Sequence, residues 1–221
     1  MEREEVRQIK QNVMEKKIIA IVRGLKREDC MKLAEALYEG GINMIEVTFD
    51  QTCQDNNYQN TVESIHAIAQ EYEGRIYVGA GTVLNRSQVD LAKSAGAKYI
   101  ITPSTDVDVI RYAKEQGLVA MPGAMTPSEV VTAYAAGADF VKIFPSDNLG
   151  ASYIKALKAP LKHIPMLAVG GVNEKNVAEF MKAGAVGAGV GGNLVNAEWI
   201  KHGEFSKITE LAKEMMKNAC Q

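Results

Sequence analysis

Residues 96–144 read GAKYIITPSTDVDVIRYAKEQGLVAMPGAMTPSEVVTAYAAGADFVKIF. Short β-branched runs at 99–102, 119–121 and 140–144 alternate with stretches at 107–116 and 127–136 whose apolar residues fall at helical spacing. Gly96-Ala97, Gly117-Leu118 and Gly137-Ala138 stand where each run begins, and glycine there supplies the left-handed cap that ends the preceding helix. Thr126-Pro127-Ser128-Glu129 has the opposite signature: a capping hydroxyl, a proline at the first helical position and a glutamate three residues after the cap. The unit recurs about every 21 residues, long enough for one strand and one crossover helix, which predicts parallel strands.

The same alternation extends in both directions. Strands are expected at 18–23, 44–49, 77–80, 166–169 and 186–190, and helices at 29–39, 61–72, 87–95 and 174–182, with Gly41-Ile42 and Gly184-Ala185 as further helix ends. Eight strand-helix units in a chain of 221 residues predict a closed (β/α)₈ TIM barrel, one domain spanning residues 1–221. An open doubly wound sheet is the alternative, but Arg23-Gly24-Leu25-Lys26 lacks the glycine spacing of a dinucleotide-binding turn. Residues 2–15 read as an N-terminal helix covering the bottom of the barrel, and 205–218 as a closing outer helix.

Composition narrows the function. A net charge of −2, with basic and acidic residues interspersed, gives no stripe for nucleic acid, so a small-molecule ligand is expected. The start Met1-Glu2-Arg3-Glu4-Glu5 lacks the features of a secretory signal and no apolar run is long enough to span a membrane, which predicts a cytoplasmic protein. Cys30, Cys53 and Cys220 follow neither metal nor disulfide spacing and read as reduced thiols. His66, His163 and His202 have no carboxylate or cysteine at ligand spacing, so neither a metal nor a cofactor is expected.

Barrel enzymes carry their chemistry at the C-terminal ends of the strands. Lys142 lies inside Val141-Lys142-Ile143-Phe144, a run that otherwise suits burial on both faces. Such a lysine either snorkels to water or is held as a neutral, nucleophilic amine. Glu46, in Met44-Ile45-Glu46-Val47-Thr48, is the matching carboxylate. It is either the partner in a structural ion pair with Lys142 or Arg23, or a general acid/base beside the lysine. Arg23, if it points inward, binds a substrate carboxylate and depresses the lysine pKa; otherwise it pairs with Glu46. Gly170-Gly171 and Gly191-Gly192, after the seventh and eighth strands, occupy the places where barrels bind phosphate through backbone N–H groups, with the helix that follows Asn173 aiming its N-terminus at the anion. Asn193 adds a side-chain donor, and Thr82 and Thr102-Pro103 complete the top face.

Six motifs then occur in order: Glu46-Val47-Thr48, Gly79-Ala80-Gly81-Thr82-Val83-Leu84, Thr102-Pro103, Pro122-Gly123-Ala124-Met125-Thr126-Pro127, Val141-Lys142-Ile143-Phe144-Pro145 and Gly170-Gly171-Val172. In these the chain resembles, over nearly its whole length, the 2-keto-3-deoxy-6-phosphogluconate (KDPG) / 4-hydroxy-2-oxoglutarate (KHG) aldolase family. The resemblance implies a metal-independent class I aldolase, a homotrimer, that cleaves KDPG or 4-hydroxy-2-oxoglutarate to pyruvate plus glyceraldehyde 3-phosphate or glyoxylate. It makes Lys142 the Schiff-base lysine and Glu46 the proton shuttle. It sets Thr82 and Pro103 against the pyruvate portion, Phe144 beside the lysine, and Gly170, Gly171, Gly191 and Gly192 around a distal phosphate. Two positions depart from the family pattern. Asp50 stands where many members carry the arginine that binds the pyruvate carboxylate, which implies repulsion there and transfer of the anchor to Arg23. Gly192 stands where members commonly have a phosphate-binding serine. The competing readings are a phosphate-binding barrel isomerase or epimerase, with Lys142 as an electrostatic stabiliser only, and a non-catalytic barrel that binds a phosphorylated acid.

Overall fold

In a closed parallel barrel, alternate side chains of each strand face the barrel axis or the surrounding helices, and both directions are buried. The computed structural model, which describes residues 4–53 and 58–221, is built this way. Strands β1 (Ile18–Val22), β2 (Met44–Thr48), β3 (Tyr77–Gly81), β4 (Tyr99–Ile101), β5 (Val119–Met121), β6 (Gly123–Ala124), β7 (Val141–Ile143), β8 (Met166–Val169) and β9 (Gly187–Val190) form one sheet in the order β5-β4-β3-β2-β1-β9-β8-β7-β6. All its pairings are parallel. β5 and β6 are successive halves of one stave. The first half pairs with β4 and the second with β7, so the two ends of the order are joined covalently and the barrel closes.

The split stave is a small departure from the expected eight uninterrupted strands. Pro122 separates the halves and has no N–H to give a ladder, but its carbonyl still accepts from Lys142 N at 2.9 Å. The helices are α1 (Glu4–Lys16), α2 (Arg27–Glu39), α3 (Gln59–Glu71), α4 (Arg86–Ser94), α5 (Val107–Glu115), α6 (Pro127–Ala135), α7 (Ser146–Lys158), α8 (Val177–Lys182), α9 (Ala197–Lys201) and α10 (Phe205–Ala219). The expected cap signals operate. Gly41, Gly96, Gly117, Gly137 and Gly184 all have φ between 80° and 109°, and Thr126 and Glu129 form a reciprocal capping box. Of the expected N-terminal helix, residues 2 and 3 lie outside the described residues. α7 is the helix of the sixth unit, for which the spacing assigns no range, α9 is additional, and α8 starts at Val177 instead of residue 174. The Asn173 carboxamide oxygen accepts from Lys175 N and Asn176 N, closing a turn where the helix was expected.

Two cores result. The larger lies between strands and helices and includes Ile18, Ala20, Ile45, Val47, Ile100, Val141 and Ala188. The smaller fills the barrel axis with Ile19, Met44, Tyr99, Ile101, Val119, Met121, Phe140, Leu167 and Val169. Val6, Ile9 and Val13 of α1 join this inner cluster, so the helix stops the N-terminal end of the barrel with apolar side chains. Asp139 secures that end, accepting from Lys114 Nζ at 2.5 Å and from Ala120 N at 2.9 Å while Lys10 Nζ lies 3.5 Å away. Above the plug, β3 gives up side chains to make room. A Cβ at Gly79 would lie 2.2 Å from the ring of Tyr99, which is fully buried and donates its hydroxyl to Tyr77 O at 3.3 Å. Among the described residues, no helix is long and apolar enough to cross a membrane.

Gly79→Ala therefore tests the tight fit of the inner layer. The added methyl group forces the Tyr99 ring off its site, with an expected loss of about 1–3 kcal/mol in urea denaturation.

Candidate active site

A cavity of about 420 Å³ opens at the C-terminal ends of the strands. Its wall includes Arg23 after β1, Glu46 on β2, Thr82 after β3, Pro103 after β4, Lys142 on β7 and Phe144 beyond it, together with the Gly170-Gly171 and Gly191-Gly192 turns after β8 and β9. The residues given catalytic or substrate-binding roles from the sequence thus meet in one place, while Thr102 and Asp50 do not line it. The volume lies within the usual range for small-molecule sites.

The pairing register explains the depth of the two ionisable groups. Glu46 stands level with Ile21 and Gly79, and Lys142 level with Gly123 and Leu167, all within the barrel wall. Glu46 is 2% and Lys142 7% exposed. Neither takes part in an ion pair among the described residues, and neither does Arg23, so the structural ion-pair alternative does not hold. Lys142 is pushed below the ordinary lysine pKa, chiefly by burial and secondarily by the positive charge of Arg23, while Glu46 opposes the shift. Burial raises the Glu46 carboxyl above the ordinary carboxylate range, against the pull of Lys142 and Arg23. Both shifts favour the uncharged forms, an amine and an acid. Glu46 Oε2 is buried without a protein hydrogen bond, a costly state for a carboxylate that has no second role. Gly81 permits it, since a Cβ there would fall 1.9 Å from Glu46 Oε1. The Lys142 ammonium nitrogen also lies 4.8 Å from the centroid of the half-exposed Phe144 ring.

The wall between these groups is tightly fitted. Thr82 has φ 55°, a left-handed conformation that costs a β-branched residue about 1–3 kcal/mol. Gly123 lies so close to Pro103 that a Cβ would come within 2.4 Å of the proline carbonyl. Thr102 Oγ1 accepts from Gly123 N at 3.4 Å and donates to Ser104 O, which binds the β4 loop to the split stave.

Asp50 does not behave as the family pattern implies. Its exposed carboxylate accepts from Thr52 N at 2.9 Å and Thr52 Oγ1 at 2.7 Å, bonds that hold its pKa below the usual range, and it does not line the cavity. The expected repulsion of a substrate carboxylate by Asp50 therefore has no direct contact to act through. Arg23 is the cation that does line the cavity. Sequence reasoning passed over Gln51 and Gln88, which hold the Thr82 loop from behind, and the apolar wall of Ile21, Val169 and Val195. Gln88 is fully buried, and an uncharged side chain in a helix gives little warning of that.

At the far end, Gly170 and Gly171 have φ 102° and 67°, the left-handed region that glycine enters freely. Among the described residues, no hydrogen bond uses the N–H of Gly171, Gly192 or Asn193. The Asn193 side chain donates to Val172 O at 3.1 Å, tying the two turns together instead of reaching outward. The helix expected from residue 174 begins only at Val177, one turn further along the chain than the sequence suggests. No group of His, Cys, Asp and Glu among the described residues has the arrangement of a metal site.

Comparison with known proteins finds relatives in sequence and in fold. Residues 9–211 match the family model "KDPG and KHG aldolase". The chain is 39% identical over 181 residues to a 2-dehydro-3-deoxy-6-phosphogalactonate aldolase of Escherichia coli K12, covering 81% of this chain and 85% of that protein. It superposes on a native KDPGal structure with a TM-score of 0.81 at 36% identity, covering 91% of this chain and 93% of the other. A KDPG aldolase from Legionella pneumophila, captured at low pH with pyruvate as a covalent carbinolamine, matches with a TM-score of 0.83 at 26% identity over 93% of this chain and 97% of its own.

The electrostatics make opposite predictions for two neighbours of Lys142. In the pH range where Glu46 is ionised, Glu46→Gln removes a negative charge and lowers the Lys142 pKa further, while removing positive charge with Arg23→Gln raises it. Reductive methylation of Lys142 followed by peptide mass spectrometry reads this, with the pH midpoint moving down in the first variant and up in the second. A midpoint unmoved by Glu46→Gln would mean that Glu46 carries no charge beside the lysine.

Proposed function

This chain belongs to the KDPG and KHG aldolase family, and on that premise we propose that Lys142 is its Schiff-base amine and Glu46 its proton shuttle. It is an aldolase, a lyase that cleaves a 2-keto-4-hydroxy acid to pyruvate and an aldehyde. The observation that carries the assignment is the single cavity in which a desolvated lysine and a desolvated carboxyl face the same space without an ion pair.

In this reading the neutral Lys142 amine attacks the C2 carbonyl of the keto acid. Glu46, in the acid form that burial favours, protonates the departing oxygen of the carbinolamine, and water leaves as the iminium forms. The resulting Glu46 carboxylate takes the proton of the C4 hydroxyl. The C3–C4 bond then breaks, its electron pair flowing into the iminium to give the enamine of pyruvate, while C4 leaves as an aldehyde. Protonation at C3 and hydrolysis of the imine return pyruvate and free Lys142. Phe144 suits this sequence, because an aromatic ring near the nitrogen attracts the cationic iminium. Thr82 and Pro103 would hold the pyruvate portion, Arg23 its carboxylate, and the Gly170-Gly171 and Gly191-Gly192 turns a terminal phosphate.

The substrate we favour is the phosphorylated acid of the galactonate series, on the strength of the 39% identical relative. The reading takes residues 1–221 as one barrel domain working in the cytoplasm, and as a homotrimer, the last of which the family resemblance implies. The isomerase alternative, with Lys142 as a charge only, finds no support in a lysine whose surroundings disfavour the charge.

Borohydride added with pyruvate should attach a three-carbon adduct to Lys142 of the wild type. The same treatment of Lys142→Arg should leave the protein unmodified and inactive, whereas an isomerase that needs only a cation would keep appreciable activity. A retro-aldol assay comparing the galactonate-derived, gluconate-derived and unphosphorylated acids should rank them in that order. Gly192 has an ordinary φ, and a Cβ there would meet nothing within 4 Å. Gly192→Ser should therefore fold normally and lower KM for the phosphorylated acids about 3- to 10-fold, leaving the unphosphorylated acid unchanged.

A further inference from the structure

Thr82 is the one strained residue facing the cavity from β3, and its conformation is held by a chain of two side-chain amides. Gln51 Nε2 donates to Thr82 O at 2.9 Å and more weakly to Phe49 O at 3.4 Å. Gln88 Nε2 donates to Gln51 Oε1 at 3.0 Å, while Gln88 Oε1 accepts from Leu84 N at 2.6 Å. Gln88 is itself fixed from α4, where its N–H bonds to Asn85 Oδ1 at 2.9 Å. Both ends of the 82–84 segment are thus gripped by one amide relay, and neither glutamine lines the cavity. The Asp50–Thr52 turn folds the β2 loop so that Gln51 reaches across to β3.

We propose that Gln51, supported by Gln88, is a positioning residue that holds Thr82 in the left-handed conformation presenting its side chain to the keto-acid end of the substrate. The inference rests on the reading that Thr82 contacts the pyruvate portion. The relay is directional: Gln51 donates to Thr82 O and accepts from Gln88. A glutamate in its place keeps the acceptor but donates only when protonated.

Two variants, Gln51→Met and Gln51→Glu, test this, read as the pyruvate concentration that gives half-maximal borohydride-trapped adduct at Lys142, each compared with wild type at the same pH. Gln51→Met should raise that concentration about fivefold at every pH, without lowering the amount trapped at saturation. Gln51→Glu should match it near about pH 8 and return to within about twofold of wild type near about pH 4, where an ordinary glutamate carboxyl has largely regained its proton. Should Gln51→Met fail to fold, the pH reversal within Gln51→Glu carries the test alone. Lower thermal stability with unchanged half-saturation and no pH reversal would overturn the inference and leave Gln51 a structural bond. A wild type that forms no adduct would instead overturn the reading of Lys142, and the inference with it.

Discussion

An amine and a carboxyl are buried in one apolar barrel, yet no ion pair joins them, and the site is organised around that constraint. If Lys142 and Glu46 touched, each would stabilise the other's charge, and the pair would become inert as nucleophile and acid. They stand on strands that are not neighbours in the barrel, Glu46 on β2 level with Gly79 and Lys142 on β7 level with Gly123 and Leu167. Glycines at 79 and 81 give the space that the Tyr99 ring and the Glu46 carboxyl occupy. Arg23 adds a second positive charge at the rim, which further discourages protonation of the lysine.

Much of this architecture was legible in the sequence because its signals are local. Helix ends were marked by glycines that adopt positive φ, and α6 by a capping box that forms as written. Lys142 stood out because a charge in a doubly buried strand has few physical explanations. What escaped notice depends on local interruption or on distance along the chain. α7 was hidden by Ser146-Asp147-Asn148, which reads as a turn, and by Gly150, whose φ and ψ break the helix from within. The division of the fifth stave follows from a missing N–H at Pro122, a single atom in an otherwise good strand. Gln51 and Gln88 lie 37 residues apart and meet only after β3 brings their loops together.

Asp50 shows how a position marked by a family pattern can be turned to a local use. The residue sits just past the end of β2, where a side chain can turn toward the cavity or back along its own loop. Thr52 offers two donors on the second path, and the carboxylate takes both. The position is thereby used for shaping the loop, and the cation that lines the cavity, Arg23, stands at the neighbouring strand end, β1 and β2 being paired in register and opening on the same cavity.

The N-terminal helix has a consequence for the order of events. Val6, Ile9 and Val13 stop the lower end of the barrel, so the cavity is a blind well with traffic through one mouth. A molecule cleaved in such a well leaves in sequence. The fragment nearer the rim departs first, and the one covalently held at depth follows only after its bond is hydrolysed. Run backwards, the covalent bond makes the three-carbon acid the first to enter, and the stopper leaves the aldehyde to follow it through the same mouth.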